Sequence, residues 1–451
     1  MVKLTFIIII TKIIAFLMRF FGFGHGTTWP GEIALRLDQN IVGKIMKKNL
    51  KLKTIIIVGT NGKTTSAKLI KHVLTKLGHR VFSNQSGANL LNGVASTLIN
   101  YTKLSGKISY DEAILEIDEN VLPIIIKQFR PSAILMLNLF RDQLDRYGEI
   151  NIIALKWHYA LKQLDQQTTF IMNGQDPQIC HLGRGVINSP VYYYGVKKLL
   201  SKKDIPHEAD SIYCPKCSSK LTFSAIAYSH IGNFSCPKCV FSQPEFVDLT
   251  ERMDIPLEGL FNRYNFSAVA LLLNKVFGLS NEKFKTLIKD YQAGFGRQEM
   301  IDFENKKVII QLSKNPVGFN QSIELLREIK NKPKTVLLAL NDRIPDGRDI
   351  SWIWDVNFES LVSIADKIFV VGDRAYDLGI RLQYALKNKK MTVTKDRICL
   401  NSQIYIYSKI EEGLESALKS IEKKETLYVF PVYSAMLALR KILTGDEFKT
   451  K

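Results

Sequence analysis

The sequence predicts an α/β protein in which a central P-loop domain carries an inserted Cys₄ zinc ribbon and a Rossmann-like α/β domain follows. Three observations predict this fold. Apolar, β-branched runs alternate with helical patterns along most of the 451 residues, as in a parallel sheet covered by helices. A glycine-rich turn follows the first such run in TIIIVGTNGKTTSAKLI (54–70). Two CPKC motifs then interrupt the alternation between residues 201 and 248.

The composition is that of a globular chain, with 46% apolar and 23% charged residues, and the length predicts two to three domains. A formal charge of +19 favours anionic partners: nucleic acid, an acidic membrane surface or a phosphorylated substrate. The basic residues are not interleaved with aromatic ones, as they are on a platform for single-stranded nucleic acid. A well-solvated, lysine-rich surface explains the charge equally well.

The N-terminal segment MVKLTFIIIITKIIAFLMRFFGFG is very apolar but is interrupted by Lys12 and Arg19. It therefore does not predict a membrane-spanning helix, and no signal-cleavage motif follows it. Two interpretations stay open: a helix at the membrane interface, with residues 1–23 in contact with lipid, or a helix packed against the next domain. We expect a cytoplasmic protein, which under the first interpretation is peripheral at the inner face of the membrane.

An N-terminal helical segment is predicted at 1–50, in which GEIALRLDQNIVGKIM (31–46) has the pattern of one amphipathic helix. The central domain is predicted at 51–300. Helical patterning returns after the cysteines at NRYNFSAVALLLNKVFG (262–278). The apolar runs that predict further strands of this domain are EAILEID (112–118), SAILMLNL (132–139) and TTFIMN (168–173).

A second alternation begins after GFGRQEM (294–300) and predicts a C-terminal α/β domain at 301–451. We therefore place a domain boundary near residue 300. The runs that predict strands of this domain are KVIIQLS (307–313), KTVLLALND (334–342), DKIFVVGD (366–373) and TLYVFPVY (426–433).

The strand–loop–helix unit around Gly59 and Gly62 is typical of a phosphate-binding site. Backbone N–H groups and a helix N-terminus face the anion, a lysine reaches it, and a hydroxyl follows for Mg²⁺. The usual pattern G-x-x-x-x-G-K-[ST] would place glycine at Ile57, so this loop is a shortened version with two residues between its glycines. The expected nucleotide-binding residues are Gly59, Thr60, Asn61, Gly62, Lys63, Thr64 and Thr65.

A cysteine cluster predicts a zinc site. The pattern C-x₂-C-x₁₈-C-x₂-C, which has zinc-ribbon spacing, is formed by Cys214, Cys217, Cys236 and Cys239. Four thiolates in tetrahedral geometry leave no open position for a reacting water, so we expect a structural Zn²⁺. It would fix an insertion at about 201–248 that has no core of its own. The separate residues Cys180 and Cys399 are expected in the core.

The strand AILEIDEN (113–120) leaves a second function open. In a P-loop ATPase that acts on nucleic acid, the strand end supplies one acid for Mg²⁺ and a second acid as the base, here Asp118 and Glu119. A zinc ribbon and a positive net charge fit such an enzyme. The shortened glycine loop argues against it.

Several motifs in series resemble those of the Mur ligase family over roughly residues 54–300. They are GTNGKTTS (59–66), LEIDEN (115–120), NLFRDQLDRYGE (138–149), NGQDP (173–177) and FNRYNFSAVA (261–270). Mur ligases form amide bonds: ATP phosphorylates a carboxylate, and an amine then attacks it. DGRDISWIWD (346–355) and the Cys₄ ribbon resemble a branch of the family in which the ligase chain, with a separate glutaminase, amidates the D-glutamate of the lipid II stem peptide.

The resemblance implies roles for particular residues. Lys63 and Mg²⁺ would neutralise the charge on the transferring phosphoryl group. Thr64 and Glu116 match the family's Mg²⁺ ligands. Asn265 matches its adenine-side Asn, and Arg297 its inter-domain Arg. The implied cofactors are ATP and Mg²⁺, beside the Zn²⁺ of the ribbon.

The chain departs from the family pattern at three positions. These departures concern the second metal site of amide-forming Mur ligases and the identity of the nucleophile. Gln143 stands where amide-forming Mur ligases usually carry a metal-binding His. Lys156 lies near the place of their carbamylated Lys but is not securely aligned with it, so the second metal site stays open. Gln311 stands where the family has an acidic ribose contact. These changes fit ammonia as the nucleophile, because ammonia needs no clamp for an amino-acid carboxylate.

No Cys-His glutaminase pattern is visible in the chain, so ammonia is expected from a second polypeptide, a GatD-type glutaminase in a heterodimer. The resemblance implies that this partner borrows its acid from the present chain. Asp349 matches the borrowed acid, with Asp346 and Asp355 as rivals. The expected substrate is lipid II at the membrane surface, and no nucleic acid. The alternatives are the nucleic-acid ATPase and a Mur-type amino-acid ligase without a glutaminase partner.

Overall fold

The computed structural model describes residues 2–20, 28–85, 87–142, 149–165, 167–199, 205–330, 333–386, 391–393 and 397–446. The predicted site residue Gln143 lies outside the described residues. So do residues 201–204 of the predicted ribbon, and residues 1 and 21–24 of the apolar N-terminal segment.

Three helices precede the first strand: α1 (Val2–Phe20), α2 (Trp29–Leu37) and α3 (Ile41–Lys47). The single helix predicted at 31–46 is therefore wrong. The chain is extended at Asp38, with φ −160°, and the Asp38 carboxylate accepts a hydrogen bond from the Asn40 amide at 3.1 Å. This Asx turn competes with the helix and splits it into α2 and α3. In the described part of the chain, every helix is too short or too polar to cross a bilayer.

Six parallel strands form the first sheet, in the order β2-β3-β1-β4-β5-β6. They are β1 (Lys53–Val58), β2 (Val81–Ser83), β3 (Glu112–Glu116), β4 (Ala133–Met136), β5 (Thr169–Asn173) and β6 (Val191–Tyr194). The helices between them are α4 (Lys63–Lys76), α5 (Leu91–Tyr101), α6 (Leu122–Gln128), α7 (Ile150–Leu161) and α8 (Pro177–Gly185). The predicted strands are confirmed, and both faces of the sheet are covered by buried apolar side chains.

An antiparallel hairpin follows the first sheet, with strands β7 (Thr222–Tyr228) and β8 (Ile231–Ser235). Gln175 attaches this hairpin to the sheet. Its carbonyl accepts from the Gly232 amide at 2.9 Å, and its side-chain amide donates to Asn233 at 2.7 Å. Two helices then return to the sheet, α9 (Leu260–Phe277) and α10 (Asn281–Leu287). The helix predicted at 262–278 is thus confirmed.

The second sheet is mixed, in the order β13-β14-β15-β12-β11-β16-β10-β9. Its strands are β9 (Arg297–Phe303), β10 (Lys306–Gln311), β11 (Thr335–Ala339), β12 (Lys367–Val371), β13 (Met391–Val393), β14 (Ile398–Leu400), β15 (Ile404–Ile406) and β16 (Thr426–Pro431). Its helices are α11 (Pro316–Glu328), α12 (Phe358–Ile364), α13 (Ala375–Ala385), α14 (Ile410–Lys419) and α15 (Tyr433–Thr444), with a 3₁₀ helix at Ser351–Asp355. The boundary that we place near residue 300 falls within β9.

The two isolated cysteines differ in burial. Cys180 is fully buried, as expected. Cys399 is only half-buried, because its strand β14 lies one strand from the edge of the second sheet. The expectation that both belong to the core is therefore wrong for Cys399.

A buried ion pair joins β9 to α15. Arg440 Nε and Nη2 donate to the two carboxylate oxygens of Glu299, each at 2.9 Å, and the Gly296 amide donates to the same carboxylate at 2.7 Å. Arg440 is completely buried. A buried charge is tolerated only when it is paired, so this contact fixes the start of the second sheet against its last helix.

We predict that Glu299→Ala lowers the free energy of unfolding by about 3–5 kcal/mol, because Arg440 is left buried and unpaired. The matched control is Glu415→Ala. It removes an exposed pair with Lys419 and should cost less than about 1 kcal/mol. Urea titrations followed by circular dichroism measure both. Equal losses for the two variants would contradict the structural role of the buried pair.

Candidate nucleotide site and zinc centre

The glycine loop lies where the strand order of the first sheet reverses, because β1 pairs with β3 on one side and β4 on the other. Ligands bind at such points, outside the carboxyl ends of the strands. Gly59 and Gly62 have φ values of +136° and +94°, which other residues rarely adopt. A Cβ atom on Gly62 would lie 2.2 Å from Asn265 Oδ1. The fold thus brings the predicted adenine-side residue on α9 against the loop.

Asn138 holds the loop in place from the end of β4. Its Oδ1 accepts from the Asn61 amide at 2.8 Å, and its Nδ2 donates to the Asn61 carbonyl at 3.0 Å. Its own carbonyl accepts from the Thr60 amide at 3.0 Å. Asn138 is not among the site residues predicted from the sequence, although it is the first residue of the motif NLFRDQLDRYGE.

Lys63 is buried at the start of α4, among carboxylates. Its Nζ donates to Glu119 Oε1 at 3.1 Å and to the Thr60 carbonyl at 3.3 Å. Burial alone would lower the pKa of Lys63. The neighbouring carboxylates, above all Glu119 and Glu116, outweigh burial and hold this pKa above its ordinary value. The side chain is therefore an ammonium ion at every physiological pH, as a phosphate contact requires.

Thr64 and Glu116 contact each other directly. Thr64 Oγ1 donates to Glu116 Oε2 at 2.8 Å, and both side chains are buried. Asn84 orients this strand end, because its Oδ1 accepts from the Glu116 amide at 2.9 Å. A hydroxyl and a carboxylate oxygen beside a phosphate loop are the hard ligands that Mg²⁺ prefers, so the residues present fit this ion.

The C-terminal domain closes over the loop through two polar contacts. Asn315 Nδ2 donates to Asn61 Oδ1 at 3.1 Å, and Lys314 forms an ion pair with Asp142. Asp142 Oδ1 is buried and has no hydrogen-bond partner among the residues that the structure describes, so it could accept from a ligand. The cleft is thus built from both domains.

Arg297 and Gln311 line this inter-domain cleft. Burial lowers the pKa of Arg297, while Glu116 is the largest opposing influence. Arginine keeps its charge in proteins, so the guanidinium can still bind an anion. Gln311 Oε1 accepts from the Gln298 amide at 3.0 Å. The position that the resemblance matches to an acidic ribose contact thus carries a neutral amide, which binds the backbone of the strand β9.

Lys156 does not reach the phosphate loop. It is exposed on α7, and its Nζ donates to Asn120 Oδ1 at 3.1 Å. Asn120 directly follows Glu119 in the chain. Lys156 therefore lies near the acidic residues that follow β3, but it is not among the residues that line the cleft. Its role at a second metal stays a prediction.

Three aspartates compete for the role of borrowed acid. Asp346 is buried and accepts from the Ser434 amide at 2.8 Å; burial raises its pKa. Asp355 accepts from Arg141 Nη2 at 3.2 Å. Asp349 is half-exposed and accepts from the Ser351 amide at 2.8 Å. Asp349 thus binds the amide of the first residue of the 3₁₀ helix with one oxygen and is accessible from outside the chain.

The four predicted zinc ligands lie together. All their sulfur atoms lie within 4.8 Å of one another, and two of the separations are 3.7 Å (Cys214–Cys239) and 3.5 Å (Cys217–Cys236). A tetrahedron with Zn–S bonds of about 2.3 Å has edges of about 3.8 Å. The cysteines therefore fit Zn²⁺. Apolar neighbours pack beneath them, including Phe234 and Phe241.

The comparisons with known proteins agree with this geometry. The family model "MurT ligase C-terminal" matches residues 312–436, and "Mur ligase middle domain" matches residues 57–273. A "Lipid II isoglutaminyl synthase (glutamine-hydrolyzing) subunit MurT" from Staphylococcus aureus (strain COL) is 32% identical over 388 residues, which cover 82% of this chain and 86% of the relative. The protein of the same name from Streptococcus pneumoniae (strain ATCC BAA-255 / R6) is 30% identical, with 95% and 94% covered.

Solved structures share the fold. A pseudomurein peptide ligase type C from Methanothermus fervidus has a TM-score of 0.63 at 20% identity, covering 89% of this chain and 80% of that chain. MurF from Acinetobacter baumannii has a TM-score of 0.61 at 15% identity, covering 93% and 80%. At these identities the likeness concerns the fold alone.

We predict that Cys214→Ser releases one Zn²⁺ per chain and loosens the described part of the ribbon, residues 205–248, because three thiolates hold the ion less well. The matched control is Cys399→Ser, at a half-buried cysteine outside the cluster. Elemental analysis measures the metal, and limited proteolysis measures the loosening. A folded wild-type chain without metal would contradict the zinc site.

Proposed function

Since the chain belongs to the MurT family of Mur ligases, we propose that it is the ligase subunit of a lipid II isoglutaminyl synthase. In this proposal it uses ATP to convert the D-glutamate carboxylate of the lipid II stem peptide to the amide of D-isoglutamine. The relatives are named as subunits and as glutamine-hydrolysing, which supports a glutaminase partner as the source of ammonia. The reaction is a step in peptidoglycan synthesis.

One observation carries the proposal: a buried lysine and a hydroxyl–carboxylate pair lie in one cleft between two domains. A carboxylate resists attack by ammonia until one of its oxygens becomes a leaving group. Phosphorylation makes it one: the carboxylate oxygen attacks the γ-phosphorus, ADP leaves, and an acyl phosphate forms. Ammonia then attacks the acyl carbon, and phosphate leaves as the amide forms.

The chain's own residues perform the charge stabilisation. The Lys63 ammonium faces the phosphates and offsets the charge that spreads over the transferring group. Thr64 and Glu116 would hold Mg²⁺, which supplies further neutralisation at the phosphates. Arg297, at the start of β9, and Lys314, after β10, bring two more cations to the cleft. Asn265 and Asn138 position the loop and the base side of the nucleotide.

The partner in this proposal is a GatD-type glutaminase in a heterodimer, docked on the C-terminal domain at 301–451. A catalytic Cys-His pair needs a carboxylate that orients the imidazole and stabilises its charged form. Asp349 suits this role best, because Asp346 is buried and Asp355 faces the Arg141 guanidinium, whereas Asp349 is half-exposed and accepts from a neutral backbone amide. The substrate is lipid-linked, so the complex works at the inner face of the membrane.

The two other functions are less well supported. Family membership does not favour an ATPase that acts on nucleic acid. A Mur-type amino-acid ligase without a glutaminase would not be expected among proteins named as subunits. Because the chain belongs to a ligase family, we propose that Asp118 and Glu119 keep Lys63 charged rather than activate water for the hydrolysis of ATP.

We predict that Lys63→Ala lowers the rate of ATP-dependent amidation by at least about 10²–10³-fold, because a preorganised cation at the phosphates is lost. Lys76→Ala, at the exposed end of the same helix, is the matched control and should keep full activity. The assay combines the chain, its glutaminase, glutamine, ATP and lipid II, with the product measured by mass spectrometry. Near-normal product from Lys63→Ala would refute the ligase mechanism, and stimulation of ATP hydrolysis by DNA or RNA would favour the alternative.

We predict that Asp349→Asn leaves the complex assembled but suppresses glutamine-dependent amidation, while a high concentration of ammonium chloride restores the product. The asparagine cannot stabilise the partner's imidazolium, whereas the ligase step needs only ammonia. Asp355→Asn is the comparison variant. Unimpaired glutamine hydrolysis with Asp349→Asn would show that the borrowed acid lies elsewhere.

A further inference from the structure

Helix α1 has two apolar faces, of which only one is packed. Its inner face is buried against α2, α3 and α5 and consists of Leu4, Ile7, Ile8, Thr11 and Ala15. Lys12 adds a hydrogen bond to the Asn100 carbonyl of α5 at 3.3 Å. The helix is therefore a fixed part of the domain surface.

The outer face of α1 carries six large apolar side chains in a helical stripe: Phe6, Ile9, Ile13, Phe16, Leu17 and Phe20. Phe6 is 58% exposed and Phe16 is 66% exposed. A surface helix of a globular protein normally carries polar residues on this side. Among the described side chains of α1, every exposed one is apolar, so the stripe requires a partner.

Two helices that pack against α1, namely α3 and α5, lead into lysine-rich stretches of chain, each with an exposed leucine. Segments 41–53 and 101–109 contain seven lysines and no acidic residue. They are joined by Asn49, whose Nδ2 donates to the Gly106 carbonyl at 2.9 Å. Leu50 and Leu104, at 88% and 55% exposure, project from these segments. The basic surface, as we call it, comprises Lys47, Lys48, Lys51, Lys103 and Lys107.

We propose that the outer face of α1 and the basic surface together bind the surface of an anionic lipid bilayer. An apolar stripe enters the boundary between headgroups and acyl chains, and lysines attract anionic headgroups. The helix is packed along its length on the domain, so it would lie in the plane of the membrane. This inference deepens the proposed function, because it would hold the cleft near a lipid-linked substrate.

The test measures binding of the full chain, in complex with its glutaminase, to sedimented vesicles. Vesicles of phosphatidylglycerol and phosphatidylcholine should retain the complex more strongly than phosphatidylcholine alone. The double variant Phe6→Ser, Phe16→Ser should weaken binding at least about tenfold, because two exposed aromatic anchors are lost. The matched control is Ile187→Ser, Val240→Ser, which changes two side chains that are each 85% exposed elsewhere and should bind normally.

The variant Lys103→Ala, Lys107→Ala tests the electrostatic part and should reduce binding to anionic vesicles by about fivefold per lysine at low salt. Absence of vesicle binding by the wild type would overturn the proposal. Unchanged vesicle binding by the Phe6→Ser, Phe16→Ser variant would also overturn it. The same holds if that variant changes only self-association or assembly with the glutaminase, because the stripe would then be a protein interface. Vesicle binding is measured without turnover. A complex that binds vesicles but fails to amidate lipid II contradicts the proposed function and leaves this inference standing.

Discussion

The buried ammonium of Lys63 is the interaction on which the candidate site depends. A lysine in a protein interior keeps its charge only when carboxylates surround it, and here Glu119 and Glu116 do so. Glu116 ends β3 and Glu119 follows in the next loop, and the sheet order places β3 beside β1. The strand order and the short glycine loop therefore bring Lys63 together with the carboxylates that keep it charged. In the proposed function, this ammonium group lies where the phosphates of a nucleotide would bind.

The second domain is coupled to this cation through a short stretch of chain after β4. Asn138 holds the loop, and Asp142 pairs with Lys314 across the cleft. Between them, Arg141 forms ion pairs with Asp210 in the ribbon and Asp355 in the C-terminal domain. A Zn²⁺ ion on the four cysteines would therefore contribute to the cleft at a distance. It would fix the ribbon that Arg141 contacts, and Arg141 also contacts the region from which the borrowed acid is expected.

Much of the fold could be predicted from the sequence, because strands buried on both faces leave unmistakable apolar runs and the cysteine spacing is specific to one chemistry. The break between α2 and α3 at Asp38 could not be predicted. There, a hydrogen bond from the Asn40 amide to the Asp38 side chain outweighs an amphipathic pattern that continues through both helices. The partial exposure of Cys399 depends on strand order, which no local pattern encodes. The pairing of Asp142 with Lys314 joins residues far apart in the chain, and neither belongs to a motif that points to the other. For the borrowed acid the sequence leaves three candidates, which the structure distinguishes only by surroundings: Asp346 is buried, Asp355 pairs with Arg141, and Asp349 accepts from a backbone amide.

The central claim is that the substrate carboxylate is activated as an acyl phosphate. The most direct test uses lipid II whose D-glutamate α-carboxylate is labelled with ¹⁸O in both oxygens, together with the complex, glutamine and ATP. Direct phosphorylation predicts that one ¹⁸O per amide formed appears in inorganic phosphate, because the bridging oxygen leaves with the phosphoryl group when ammonia attacks. Unlabelled phosphate, or label found in AMP, would contradict the account.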